Sequence, residues 1–244
     1  MPFVLVALWW FLSAGSTSLY FPPLARILSS VQHVWLAHRF SSDLVPSLEN
    51  LAAGLLISTI LGIAVGLLLG RLPVLSDAVT PVLEFLRAIP AVALLPAAVL
   101  LLGIGPDMRI SVIVYGTIWP ILLNTADGAR SLDPMLADVV AAYHIRPRDR
   151  LRSIILPAAS PQIVAGVRTA LSVGITTLIL SEMIGSTSGI GYQILSAQQS
   201  FAVSDMWAGI VVLGIIGYLL NVAFRGLEAY VLRWHRGMRQ PVGS

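Results

Sequence analysis

Residues that could do chemistry are few in this sequence, and they do not assemble into a recognisable catalytic motif. The chain has no glycine-rich phosphate loop, no HExxH helix and no GxSxG turn. Its four histidines are scattered and it contains no cysteine, so neither a metal site nor a thiol nucleophile is indicated. We therefore expect no catalytic residue, no metal and no cofactor in this chain.

The densest group of charges lies in residues 133–157, within a very apolar chain. Asp133 and the proline after it predict a helix start, and apolar residues then recur at helical spacing. Arg146 precedes Pro147, which disfavours helical geometry at Arg146 and lets Pro147 open a second helix that ends at Pro157. The pattern predicts two short amphipathic helices joined by an elbow, which suits docking on a soluble partner. The alternative is an ordinary amphipathic loop at a membrane surface.

The composition indicates a membrane protein. Of the 244 residues, 57% are hydrophobic and 11% are charged, whereas a soluble domain has about 25% charged residues. All 15 basic residues are arginines, and the net charge of +3 comes mainly from connecting segments. This distribution is a topology signal and does not indicate nucleic-acid binding.

Six weakly charged stretches predict six helical spans in one domain, residues 1–244. They cover 1–16, 50–70, a stretch from 77 to 102 broken by Pro81, Pro90 and Pro96, 110–126, a stretch from about 161, and 206–224. Residues 17–43 are predicted to be an external loop with a short surface helix. Small residues recur every fourth position at Gly54, Ser58, Gly62, Gly66 and Gly70. They predict close approach of another helix.

The arginine distribution predicts the orientation. Ten arginines fall in segments assigned to the cytoplasm and three in segments assigned to the outside. The excess places both termini, residues 131–157 and the basic tail 225–244 in the cytoplasm.

The sequence resembles the permease subunits of bacterial ATP-binding-cassette importers, in particular the nitrate, sulfonate and taurine branch. In the cytoplasmic loop of that family a Glu-Ala-Ala-x-x-x-Gly pattern is followed by Ile-x-Leu-Pro. Here Asp138 begins the first pattern, His144 stands at the glycine and Pro157 ends the second. Further similar stretches are FPPLARIL at 21–28, LRAIPAVALLP at 86–96, LLGIG at 101–105 and GSTSGIGYQI at 185–194.

This resemblance implies an all-α type I importer transmembrane domain with about six transmembrane helices and a cytoplasmic coupling-helix hairpin. It implies ATPase subunits that bind ATP and Mg, a second permease copy in a homodimer, an external solute-binding protein and the bacterial cytoplasmic membrane. Relatives carry nitrate, sulfonates, taurine, bicarbonate or pyrimidine precursors, so the substrate stays open. The residues expected to contact the ATPase are Asp138, Ala141, Ala142, Tyr143, His144, Arg146, Arg148 and Arg150.

Alternatives from other classes are a stand-alone channel or secondary transporter, and a membrane-embedded enzyme. Asp127-Gly128-Ala129-Arg130 is similar to part of a lipid-head-group transferase motif, but the further aspartates do not follow at matching spacing. The hairpin favours the importer, because a lone channel has no evident use for it. At the elbow, His144 either adopts the glycine conformation with strain or Pro147 allows a different turn.

Polar residues within the spans are the candidates for the translocation path. An ionisable side chain in a membrane helix usually faces protein or water, which predicts that Glu182 faces the path; the alternative is a carboxylate exposed to external solvent. Glu84 lies one turn from Arg87 and could neutralise it. The predicted path residues are Glu182, Ser181, Thr176, Thr177 and Arg87.

Overall fold

The computed structural model describes residues 2–131, 143 and 145–234, and these residues contain helices and no strand. The helices are α1 (Pro2–Ser13), α2 (Leu24–Ser30), α3 (Val45–Arg71), α4 (Pro73–Ala88), α5 (Leu95–Leu102), α6 (Pro106–Arg130), α7 (Pro147–Arg150), α8 (Leu156–Ile184), α9 (Ile190–Gln199) and α10 (Val203–Val231). Wider π-helical stretches at Val31–Leu44 and Leu151–Ile155 join α2 to α3 and α7 to α8, and a 3-10 turn, Ala91–Leu94, precedes α5.

Within these described residues, four continuous helical stretches are long and apolar enough to cross a membrane: Leu24–Arg71, Pro106–Arg130, Pro147–Ile184 and Val203–Val231. The pair α4 and α5, bent by 79°, adds a fifth if the two form one span. The remaining predicted span, residues 1–16, corresponds to α1. Its 12 residues extend about 18 Å, which is less than the ~30 Å hydrocarbon core. The prediction of an all-helical membrane protein is confirmed.

The core of the fold is α6, which packs between α3 and α8. α3 and α6 run parallel, and their contact follows the predicted stripe of small residues. A Cβ on Gly54 would lie 2.5 Å from Ile113, and one on Gly66 would lie 2.6 Å from the Leu122 carbonyl oxygen. The stripe therefore allows the two backbones to approach more closely than any larger side chain permits.

Two predicted boundaries are wrong. Only residues 17–23 of the predicted external loop 17–43 are irregular, because α2 and the π-helical stretch after them continue without interruption into α3. Trp35 and Ile27 are buried against α9 and α10, so this segment belongs to the core. Pro157 does not end a helix either. It lies inside the continuous helical stretch Pro147–Ile184, just after the wider π-helical turns of Leu151–Ile155.

Two ends of the bundle are distinguished by its connections. The end with Arg71, Ser131 and Pro147 is called here the hairpin end, and the end with Val45 and Ile184 is called the far end. At the far end, Trp9 of α1 and Phe21 contact Trp207 of α10, with ring centroids 6.1 and 5.8 Å apart. These aromatic contacts attach the N-terminal helix to the bundle.

Candidate functional site

A buried polar cluster at the far end joins the start of α3 to the loop between α8 and α9. Glu182 is fully buried, and its carboxylate accepts hydrogen bonds from Ser47 Oγ at 2.5 Å and from the Gly191 N–H at 2.9 Å. The Ile190 N–H in turn donates to Ser47 Oγ at 3.2 Å. Two polar side chains thus satisfy the first backbone N–H groups of α9, which have no partner within the helix.

Asp43, at the end of the π-helical stretch, completes the cluster. Its carboxylate is buried and accepts hydrogen bonds from the Gly189 N–H at 2.8 Å and from Gln193 Nε2 at 3.0 Å. Gly189 has φ of 109°, and a Cβ there would lie 2.5 Å from the Glu182 carboxyl group. Only glycine fits this position, both for its backbone and for its distance from the carboxylate.

Arg109 lies beside the same loop. It is buried, with 5% of its surface exposed, and Nη2 donates to Ser186 Oγ at 2.5 Å. The Ser186 hydroxyl donates to the Ser188 carbonyl and accepts from the Ser188 N–H. The loop after α8 is therefore held at both ends, by Arg109 at its start and by the carboxylates at its close.

The predicted path residues do not lie together. Ser181 and Thr177 are buried inside the subunit, as is Glu182, and Ser181 Oγ donates to the Leu178 carbonyl. Thr176 and Arg87 are exposed. Glu84 is exposed as well, and it forms no ion pair with Arg87. A path role for these residues stays a prediction, and the two exposed ones are the better placed for it.

The helix break between α4 and α5 follows from Pro90, whereas Pro81, which is also predicted to break this span, lies inside α4. The residue before it, Ile89, is extended with φ of −77° and ψ of 118°, as a residue preceding proline prefers. Pro90 has no N–H to donate to the Leu86 carbonyl, which accepts instead from the Ile89 N–H at 3.1 Å and from Tyr115 Oη of α6 at 2.5 Å. The break is thus stabilised by a neighbouring helix.

The predicted ATPase-contact residues are described only in part. Tyr143 is 78% exposed, Arg146 and Arg148 are exposed, and Arg150 is half-buried. Arg146 is extended and Pro147 opens α7, as predicted. Asp138, Ala141, Ala142 and His144 lie outside the described residues, so their predicted contacts and the elbow conformation stay predictions.

Sequence reasoning missed the partners of several charged residues. Ser47 and Asp43 lie 135 and 146 positions from the groups that they contact around Glu182 and Gly189. Arg168 of α8 pairs with Glu228 of α10, 60 positions away. The only available signal was that each of these residues is polar within or beside an apolar span. Among the described residues, no group of three or more His, Asp or Glu side chains could hold a metal ion.

Comparison with known proteins identifies the class. Residues 58–237 match the family of binding-protein-dependent transport system inner membrane components. The chain is 29% identical to the putative aliphatic sulfonates transport permease SsuC of Bacillus subtilis, over 96% of this chain and 86% of that one. It is 29% identical to the taurine transport permease TauC of Escherichia coli, over 95% and 87%. It is 33% identical to the bicarbonate transport permease CmpB of Synechococcus elongatus, over 78% and 68%.

The fold has a solved counterpart. A chain of the MetNI methionine ABC transporter, in an inward-facing conformation, superposes with a TM-score of 0.61 at 22% identity, covering 77% of this chain and 95% of that one. The chain belongs to the family of binding-protein-dependent transport system inner membrane components. It is a permease subunit of an ATP-binding-cassette importer.

Proposed function

We propose that this permease works as a homodimer with two ATPase subunits, which bind ATP and Mg, and with an external solute-binding protein. In this assembly residues 1–244 form one membrane domain, with both termini and residues 131–157 in the cytoplasm. A cytoplasmic N-terminus requires the segment that contains α1 to cross the membrane, although α1 itself has 12 residues. The observation that carries the proposal is the charged segment between α6 and α8. Its described residues Tyr143, Arg146 and Arg148 are exposed, although the helices on either side are the most closely packed in the bundle.

The chemistry of this segment suits a protein partner. An exposed tyrosine beside two exposed arginines has the residue types that are enriched at protein interfaces. The segment connects two core spans, so a force applied to it reaches both α6 and α8. A stand-alone channel or secondary transporter needs no such connection, and no observation among the described residues favours that alternative.

We further propose that the substrate is a small oxyanion. The relatives are named for aliphatic sulfonates, taurine and bicarbonate. These compounds share an anionic group with several equivalent oxygen atoms. A thermal-shift screen of the cognate binding protein against taurine, alkanesulfonates, nitrate and bicarbonate tests this part of the proposal. A binding protein that is stabilised only by neutral solutes would contradict it.

The coupling role is tested with Ala142→Asp, which places an unpaired carboxylate in the expected ATPase contact. The variant should lose ATP-driven uptake while the binding protein no longer stimulates ATP hydrolysis. Ala14→Asp is the matched control, because Ala14 is exposed at the far end and should tolerate the change. Normal uptake and normal stimulation in the Ala142 variant would remove this segment as the coupling element.

The orientation is tested by thiol labelling, since the chain has no native cysteine. In intact cells an impermeant maleimide should label Thr17→Cys, at the far end, and should not label Arg148→Cys. Labelling of the Arg148 variant from outside would overturn the assigned orientation.

A further inference from the structure

α4 presents three faces, and one of them is polar. Side chains at helical spacing along its packed face are buried or half-buried: Ser76, Val79, Leu83 and Leu86. Side chains one position further along the chain are polar and exposed: Asp77, Thr80, Glu84 and Arg87. The remaining face is apolar and exposed, with Val74 at 85%, Val82 at 56% and Phe85 at 68%. A polar stripe therefore runs along α4 between its packed face and its apolar face.

The stripe ends near the middle of the bundle. Ser58 is the central residue of the 27-residue α3, and Thr117 Oγ1 of α6 donates to its hydroxyl at 2.8 Å. Tyr115, two residues before Thr117, donates a hydrogen bond to the Leu86 carbonyl. A Cβ on Gly116 would lie 3.3 Å from the Cβ of Ala91, just beyond the break. The uncharged residues 50–70 of α3 match the thickness of the hydrocarbon core, so Ser58, the break and Arg87 are placed near mid-membrane depth.

An exposed arginine at this depth is not suited to lipid. A charged side chain at the centre of the hydrocarbon core is costly, so such residues face protein or a water-filled cavity. A helix break at membrane depth follows the same rule. The apolar face of α4 is available for lipid, whereas the stripe that ends at Arg87 needs water or protein.

Other arginines within the spans are already engaged. Arg168 pairs with Glu228, and Arg109 is buried and donates to Ser186. Arg87 is exposed, and none of the described carboxylates lies within 4 Å of its guanidinium group. Glu84 lies one turn earlier on the same stripe but forms no ion pair with Arg87.

We propose that Arg87 binds the oxyanion group of the substrate at the middle of the translocation path, with the polar stripe of α4 lining the path toward the hairpin end. The proposal rests on the proposed oxyanion substrate. A guanidinium group stays charged in proteins and presents paired N–H donors in a fork that matches two oxygens of a sulfonate or bicarbonate group. The negative charge of Glu84, one turn away, partly offsets the positive charge of Arg87, so that the substrate binds weakly enough to be released.

The experiment uses the full chain, coproduced with its ATPase in open membrane fragments, with a thiol introduced by Ala88→Cys. Ala88 is exposed and adjacent to Arg87. The thiol is treated with two methanethiosulfonates of similar size, one carrying a sulfonate and the other a quaternary ammonium group. The measured quantity is the ratio of the anionic to the cationic reaction rate. Arg87→Gln should lower that ratio on the order of tenfold, because one positive charge beside the thiol is removed.

Glu84→Gln is the matched control on the same stripe, and it should raise the ratio because it removes a negative charge. Taurine or ethanesulfonate should slow the anionic reagent in the parent variant and should have no such effect after Arg87→Gln. Failure of both reagents to react would show that the site is not in water and would overturn the proposal. An unchanged ratio in the Arg87 variant would overturn it as well. Labelling requires neither ATP nor the binding protein, so this result is independent of the uptake assays that test the proposed function.

Discussion

The α3–α6–α8 core and the bent pair α4–α5 are built in opposite ways. In the core, glycines bring backbones into contact, and a polar cluster that includes Ser47 and Glu182 joins the far ends of α3 and α8. In the bent pair, most side chains are exposed, including Val74 at 85% and Leu100 at 85%. A bent pair with so much exposed surface is suited to contact other molecules. The difference indicates a closely packed scaffold that carries a surface available for such contacts.

The largest expected effect is overpacking of the core. Gly66→Leu should reduce the free energy of unfolding by more than about 3 kcal/mol, at the upper end of overpacking effects, because even a Cβ there lies 2.6 Å from a backbone oxygen. Thermal unfolding of the detergent-solubilised chain measures the change.

Gly214→Leu is the control for that substitution. Gly214 is exposed on α10, and a Cβ added there would meet no atom within 4 Å. The helix propensity of leucine also exceeds that of glycine, so the control should be neutral or slightly stabilising. Equal destabilisation by the two variants would mean that α3 and α6 do not depend on close approach.

Glu182→Gln should have the next largest effect. Each carboxylate oxygen accepts one hydrogen bond, and the amide replaces one acceptor with a donor. A buried donor is then left unsatisfied, which costs about 2 kcal/mol. Thermal unfolding and ATP-driven uptake should be measured on the same preparation. Lost uptake with unchanged stability would instead favour the predicted path role of Glu182.

The features of the fold that depend on residues close together along the chain could be predicted from the sequence. The stripe that includes Gly62 and Gly66 and the break at Pro90 follow from local chemistry, and the structure has both. Pairings such as Ser47 with Glu182 depend on which helices are neighbours, and a spacing pattern within one helix carries no such information. The prediction for residues 17–43 places Trp35 at the surface, whereas side chains of other helices bury it.

Tyr115→Phe tests how the bent pair is held, with a smaller expected effect. The variant removes the hydroxyl that donates to the Leu86 carbonyl, at a cost of about 1 kcal/mol. Because the loss is local to the break, the thiol of Ala88→Cys should react faster with both charged reagents while the melting temperature changes little. A melting temperature lowered as far as by Gly66→Leu would mean that the bent pair belongs to the core.

The smallest effect is expected for the ion pair between Arg168 and Glu228. Their side chains are 47% and 24% exposed, and exposed ion pairs contribute about 0–1 kcal/mol. A double-mutant cycle with Arg168→Gln and Glu228→Gln should give a coupling energy below about 1 kcal/mol that decreases at high salt. A larger coupling would mean that α10 is fixed to the core as firmly as α3.

The bend between α4 and α5 also limits how this protein can move. A straight helix through this region would press the Pro90 ring against the Leu86 carbonyl and would lose the hydrogen bond from Tyr115. The Pro90 ring therefore prevents α4 and α5 from joining into one straight helix, so the pair stays bent in every conformation of the protein.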